Sequence, residues 1–130
     1  MRKMLIIEDD DFISKTYTRF FTLSGFDVTR FHNGLLALEF LDTNEILPDI
    51  ILLDVNLPVM NGREFLKNIK QNDKTKNIPT VVLTNSFFQE DEQEFLDLGA
   101  DLFLVKIQNN NKDLIEKIND LVERSIKKSL

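Results

Sequence analysis

The sequence predicts an α/β protein, a doubly wound sheet of five parallel strands covered by five helices. Three observations carry that expectation. Short apolar runs that read as strands alternate five times with stretches of helical periodicity. The run Ile50-Ile51-Leu52-Leu53 is apolar at successive positions, so it has to be buried on both faces, as a central parallel strand is. No linker, low-complexity tract or compositional break interrupts the 130 residues, so residues 1–130 read as one domain. A chain of that size buries about two-thirds of the surface it exposes when extended.

Lys3 to Ile7 is the first strand and runs into the acidic stretch Glu8 to Asp11. Phe12, Ile13, Tyr17, Phe20 and Phe21 then share a helical stripe, and Gly25 is a natural stop. A second strand, Asp27 to Phe31, leads to Asn33-Gly34, after which Ala37, Leu38, Phe40 and Leu41 mark a second helix. Pro48 closes that connection, and the third strand runs to Asp54. Val55 to Gly62 has the Pro, Asn and Gly of a loop, and Phe65, Leu66 and Ile69 give a third helix ending near Asn72. After the polar connector Asp73 to Asn77, Ile78 to Thr84 is the fourth strand. Glu90-Asp91-Glu92 suit the first turn of a fourth helix, with Phe95, Leu96 and Leu98 as its core face before Gly99. Leu102 to Val105 is the fifth strand, ending at Lys106. Asn109-Asn110-Asn111 cap a last helix whose Leu114, Ile115, Ile118, Leu121 and Val122 form one stripe, with Arg124, Lys127 and Lys128 near its C-terminus.

Composition narrows the function. Without cysteine there is neither a disulfide framework nor a thiolate metal site. The apolar run after Arg2-Lys3 stops at Glu8, too soon for a signal peptide, and nothing approaches the roughly 20 apolar residues of a membrane span. A cytoplasmic protein without membrane insertion is the expectation, as a monomer or weak dimer. A net charge of -6 argues against direct binding to nucleic acid, which is held chiefly by clustered Lys and Arg.

The strand ends hold the chemistry. In a flavodoxin-like sheet of order 2-1-3-4-5, ligands bind beyond the carboxyl ends of the strands, where the first and third flank the topological switch. An isolated Asp54 would more often just begin a turn. Here Glu8-Asp9-Asp10 end the neighbouring strand, which brings acidic side chains within a few ångströms of Asp54. Like charges that close call for a cation, and a hard divalent ion such as Mg²⁺ prefers oxygen ligands completed by water and phosphate. Thr84 and Lys106, ending the fourth and fifth strands, would add a hydroxyl and a point charge suited to a phosphoryl group. With an unperturbed pKa of about 3.9, Asp54 is expected to be ionised at neutral pH and to attack without a general base.

In Met4-Leu5-Ile6-Ile7-Glu8-Asp9-Asp10, Pro48 to Asp54, Leu57-Pro58-Val59-Met60-Asn61-Gly62, Val81-Val82-Leu83-Thr84 and Gly99 to Lys106, the chain closely resembles the receiver domains of bacterial two-component response regulators. The resemblance covers essentially the whole sequence. It implies that Asp54 accepts a phosphoryl group from a phosphohistidine of a sensor histidine kinase or a histidine phosphotransfer protein. It implies that Glu8, Asp9 and Asp54 hold Mg²⁺, Asp9 directly and Glu8 largely through water, with the Asn56 backbone carbonyl completing the site. Thr84 and Lys106 would contact the phosphoryl oxygens, and Phe103 matches the aromatic whose rotamer follows activation. Asp10 fits better as a helix N-terminal acid. The protein would then be a switch that catalyses only its own phosphoryl transfer and dephosphorylation. It would signal to a downstream protein through the surface of the fourth helix, fifth strand and fifth helix. No output domain follows the last helix, so it is expected to act through another molecule.

Two positions depart from the family pattern. Ile107 follows Lys106 where the family usually has Pro, often cis; a cis bond before Ile costs roughly 2.5–4 kcal/mol, so this loop is either trans and rerouted or held cis under strain. Asn85 stands where the family favours a small residue, which predicts slowed hydrolysis or altered donor choice. These departures keep a phosphate-independent scaffold as the alternative. A flavodoxin-like cofactor carrier would need a phosphate-accepting loop where four acids stand, nucleotide modules would need glycine motifs that are absent, and a haloacid-dehalogenase-like phosphatase would need Asp at Asn56. His32 is expected as a surface or half-buried side chain away from the site, and Leu35, Leu36, Phe87 and Phe88 as singly exposed apolar residues.

Overall fold

The computed structural model describes residues 1–85 and 89–129, with the side chains of residues 89, 90, 107 and 129 outside that description. In chain order the elements are β1 (Arg2–Ile7), α1 (Asp11–Leu23), β2 (Phe26–Phe31), α2 (Gly34–Thr43) and β3 (Ile50–Leu53). They continue with α3 (Gly62–Gln71), β4 (Thr80–Thr84), α4 (Gln89–Asp97), β5 (Leu102–Val105) and α5 (Asn111–Ser129). The five strands pair in the order β2-β1-β3-β4-β5, every pairing parallel.

All four residues of β3 are buried, as a doubly covered strand requires. Alternation sorts the central strands onto two cores. Leu5, Ile7, Ile51, Leu53 and Val82 join Ala37, Leu41, Phe65, Leu66, Ile69 and Phe95 beneath α2, α3 and α4. Met4, Ile6, Ile50, Leu52, Val81 and Leu83 meet Phe21, Leu114, Ile118, Leu121 and Val122 from α1 and α5. Helix starts are set by short polar side chains: Asp10 accepts from the Ile13 N–H at 2.9 Å, Asn33 from Leu36 at 2.9 Å and Asn61 from Glu64 at 2.9 Å. Gly25 ends the α1 connection with φ +99°, a conformation that costs little only without a Cβ.

Two expectations on helix faces need correction. Phe12 is 78% exposed, because the first turn of α1 aims it outward, and the buried face runs instead through Ser14 and Phe21. Leu96 is likewise exposed, leaving Phe95 as the buried anchor of α4. Leu35 and Leu36 are exposed as expected, whereas Phe87 and Phe88 lie outside the described residues. No helix among the described residues is long and apolar enough to cross a membrane.

Candidate functional site

Strand register assembles the site. Ile7 pairs with Leu53 and Thr84 with Val105, so Glu8 emerges beside Asp54 and Lys106 beside the end of β4. The Asp54 N–H extends the ladder by donating to the Ile7 carbonyl at 3.0 Å. One carboxylate oxygen from each of Glu8, Asp9 and Asp54 lies within 4.8 Å of the others. Glu8 is buried, Asp54 half-buried and Asp9 exposed, so the cluster opens to water on the Asp9 side. This all-oxygen, multiply negative donor set, with one open side, fits a hard divalent cation.

Lys106 reaches the cluster from β5, its Nζ donating to Glu8 Oε1 at 2.8 Å, with both side chains largely buried. No cis peptide bond occurs among the described residues. Of the two arrangements open for the Lys106-Ile107 bond, the trans one is found, and Lys106–Gln108 turn as a short 3₁₀ helix. Asn109 closes this turn. Its N–H donates to the Lys106 carbonyl at 3.3 Å, and its side-chain amide donates to the Val105 carbonyl at 3.0 Å. Thr84 is buried at the end of β4, and Asn85 is exposed just beyond it. Phe103 is buried with its ring 5.8 Å from that of Phe95.

The electrostatics correct the expected ionisation of Asp54. Burial, reinforced by the Glu8 charge and only partly opposed by Lys106, pushes its carboxyl up to about 7, so without a cation it holds its proton far more readily than a free carboxyl does. Asp9, though exposed, is also raised, by partial desolvation first and then by Glu8. Asp10 stands apart as the α1 cap.

The loop after Asp54 is tightly built. Asn56 is exposed on it, and Val59 adopts φ +67° in a three-residue turn, the Met60 N–H donating to the Pro58 carbonyl at 2.7 Å. Positive φ at a β-branched residue is a strained choice. Gly62 returns the chain: its N–H donates to the Val55 carbonyl at 3.2 Å, and a Cβ there would stand 2.7 Å from the Asp54 carbonyl oxygen.

His32 is nearer the site than expected. It is exposed but shares a cleft with Glu8, Asp9, Asp11 and Arg30, because Phe31 pairs with Ile7 and the next residues on each strand become neighbours. Tyr17, read from the sequence as part of an apolar stripe, is half-buried on the other wall, its ring centroid 6.0 Å from Lys106 Nζ. Burial raises its hydroxyl pKa, with Lys106 opposing. Its hydroxyl was the signal that this stripe position borders something polar.

A 2-1-3-4-5 parallel sheet with clustered carboxylates at the ends of β1 and β3 defines a doubly wound α/β protein with an acidic switch-point site. A family model described as the response regulator receiver domain matches residues 4–119, and the chain belongs to that family. It is 38% identical over 125 residues to the transcriptional regulatory protein CpxR homolog of Haemophilus influenzae, covering 96% of this chain and 52% of that protein. The chain therefore spans about half the length of the transcriptional regulators that it matches. It is 35% identical over 125 residues to the response regulator Rcp1 of Synechocystis, covering 91% of this chain and 84% of Rcp1. The receiver domain of the Francisella response regulator 1452 superposes with a TM-score of 0.86 at 29% identity, covering 96% of this chain and 99% of that one. The Mn²⁺-bound form of Rcp1 gives 0.76 at 31% identity, covering 96% and 89%.

Proposed function

We propose that residues 1–130 act as one receiver unit that accepts a phosphoryl group on Asp54 in a Mg²⁺-dependent reaction. The donor is a phosphohistidine of a sensor histidine kinase or histidine phosphotransfer protein, in the cytoplasm. The observation that carries this reading is the convergence of Glu8, Asp9 and Asp54 within 4.8 Å, with Lys106 drawn in at 2.8 Å from Glu8. Glu8, Asp9, Asp54 and the Asn56 backbone carbonyl would hold Mg²⁺, which when bound neutralises charge on the transferring group. That a related receiver, Rcp1, has been solved with Mn²⁺ supports an ion in this kind of site.

Asp54 attacks as the carboxylate. Its oxygen forms a bond to phosphorus as the phosphorus–nitrogen bond to the donor histidine breaks, and the electron pair leaves with the imidazole. Lys106 and Thr84 then contact the phosphoryl oxygens of the acyl phosphate. Because Phe103 is already packed on Phe95, movement of Thr84 toward the phosphoryl group is relayed as a repacking of these two rings. That repacking biases the surface of α4, β5 and α5 offered to a downstream protein.

Incubation with acetyl phosphate and Mg²⁺ tests the reading. The expected result is a mass gain of one phosphoryl group, absent without Mg²⁺ and abolished by Asp54→Ala. No adduct at saturating acetyl phosphate would favour a phosphate-independent scaffold.

A further inference from the structure

We propose that Tyr17 is a positioning residue for Lys106, its ring face holding the ammonium at the site when Glu8 turns to a cation; this rests on the phosphoacceptor reading above. Lys106 is anchored at its two ends by different means. The 3₁₀ turn and Asn109 fix its backbone, but the four-carbon stem must be fixed at its tip. Glu8 Oε1, at 2.8 Å, and the Tyr17 ring, its centroid 6.0 Å from Nζ, both stand at that tip. Tyr17 and Lys106 line one small cavity with Leu53, Asp54 and Leu83, so the ring bounds the space through which the ammonium would move toward Asp54. The two partners differ in kind. Glu8 competes for the charge of Lys106, and a carboxylate engaged with a divalent cation no longer attracts an ammonium as strongly. An aromatic face attracts the ammonium without neutralising it, and leaves its N–H groups free for phosphoryl oxygens. The ring is itself steadied by Phe21, stacked at 6.1 Å.

The test compares wild type, Tyr17→Phe and Tyr17→Leu in two measurements. In the metal-free protein, the Lys106 ε-methylene protons should carry a ring-current shift in the NMR spectrum, kept in Tyr17→Phe and lost in Tyr17→Leu. With Mg²⁺ and acetyl phosphate, Tyr17→Leu should slow phosphorylation about fivefold to tenfold and Tyr17→Phe less than about twofold. In a Lys106→Ala background, read over longer times, Tyr17→Leu should change the residual rate less than about twofold. Wild-type rates in Tyr17→Leu, or an equal slowing in the Lys106→Ala background, would overturn the proposal. Absence of the ring-current shift would do so as well. A wild type that takes no phosphoryl group at all refutes the phosphoacceptor reading instead, while the NMR measurement still decides whether Tyr17 holds Lys106.

Discussion

Asp54 faces two opposed demands. To attack phosphorus as proposed it would have to be ionised, yet burial beside Glu8 raises its carboxyl to about 7. A bound cation would resolve the conflict, and proton and metal would then compete for the same oxygen. Mg²⁺ should therefore bind about tenfold more tightly at about pH 8 than at about pH 6, as titration calorimetry at the two values would record. A pH-independent affinity would contradict this placement of Asp54. The same group acts on the metal-free fold. Because it holds its proton more tightly folded than unfolded, its stabilising contribution is full below about pH 4 and is lost as pH rises through about 7. Asn85 is exposed just beyond β4. Asn85→Ala should shorten the phosphoryl half-life or change the preferred donor, and equal half-lives with unchanged donor preference would discard any role for its size.

Elements fix where these residues stand, and two junctions do most of it. Gly62 begins α3 against the Asp54 carbonyl with no room for a methyl group. Gly62→Ala should cost about 1–3 kcal/mol in thermal or urea unfolding and weaken Mg²⁺ binding through the displaced Asp54 loop. Next to it, Arg63 ties α3 to α4. It pairs with Asp91 at 2.6 Å and with Glu94, and lies over the Phe95 ring at 4.9 Å from its centroid. Since Phe95 also packs on Phe103, this clasp links α3 and α4 to the ring pair beneath the surface proposed to signal. Arg63→Ala should cost about 1 kcal/mol, the pairs being partly solvent-screened, and speed amide exchange in α4 while leaving α5 unchanged. Unaltered exchange in α4 would show that the clasp holds nothing.

Across the whole molecule, Glu8, Asp9 and Asp54 gather beyond the carboxyl ends of β1 and β3. Lys70, Lys76, Arg124 and Lys128 instead line a hollow at the opposite end of the sheet. Much of this architecture could be read from residue patterns. Five strand–helix repeats and the doubly apolar Ile50–Leu53 specify the sheet, and its order then forces Glu8 toward Asp54. What could not be read depends on contacts between elements far apart in the chain. The raised carboxyl of Asp54 needs its burial and Glu8 together, the nearness of His32 needs the β1–β2 register, and the outward turn of Phe12 needs the exact pitch of α1 on the sheet. The 3₁₀ turn after Lys106 likewise needs Asn109, whose side chain reaches back to the Val105 carbonyl, while the bond before Ile107 keeps the trans form ordinary for a non-proline residue.

The central claim, that Asp54 becomes an acyl phosphate, is tested most directly by chemical trapping. After incubation with Mg²⁺ and acetyl phosphate, borohydride should reduce the adduct to homoserine, and peptide mass mapping should find it at position 54 and nowhere else. Homoserine at Asp9 or another aspartate, 2-amino-5-hydroxypentanoic acid at Glu8 or another glutamate, or no reduced residue at all after saturating treatment, would contradict this assignment.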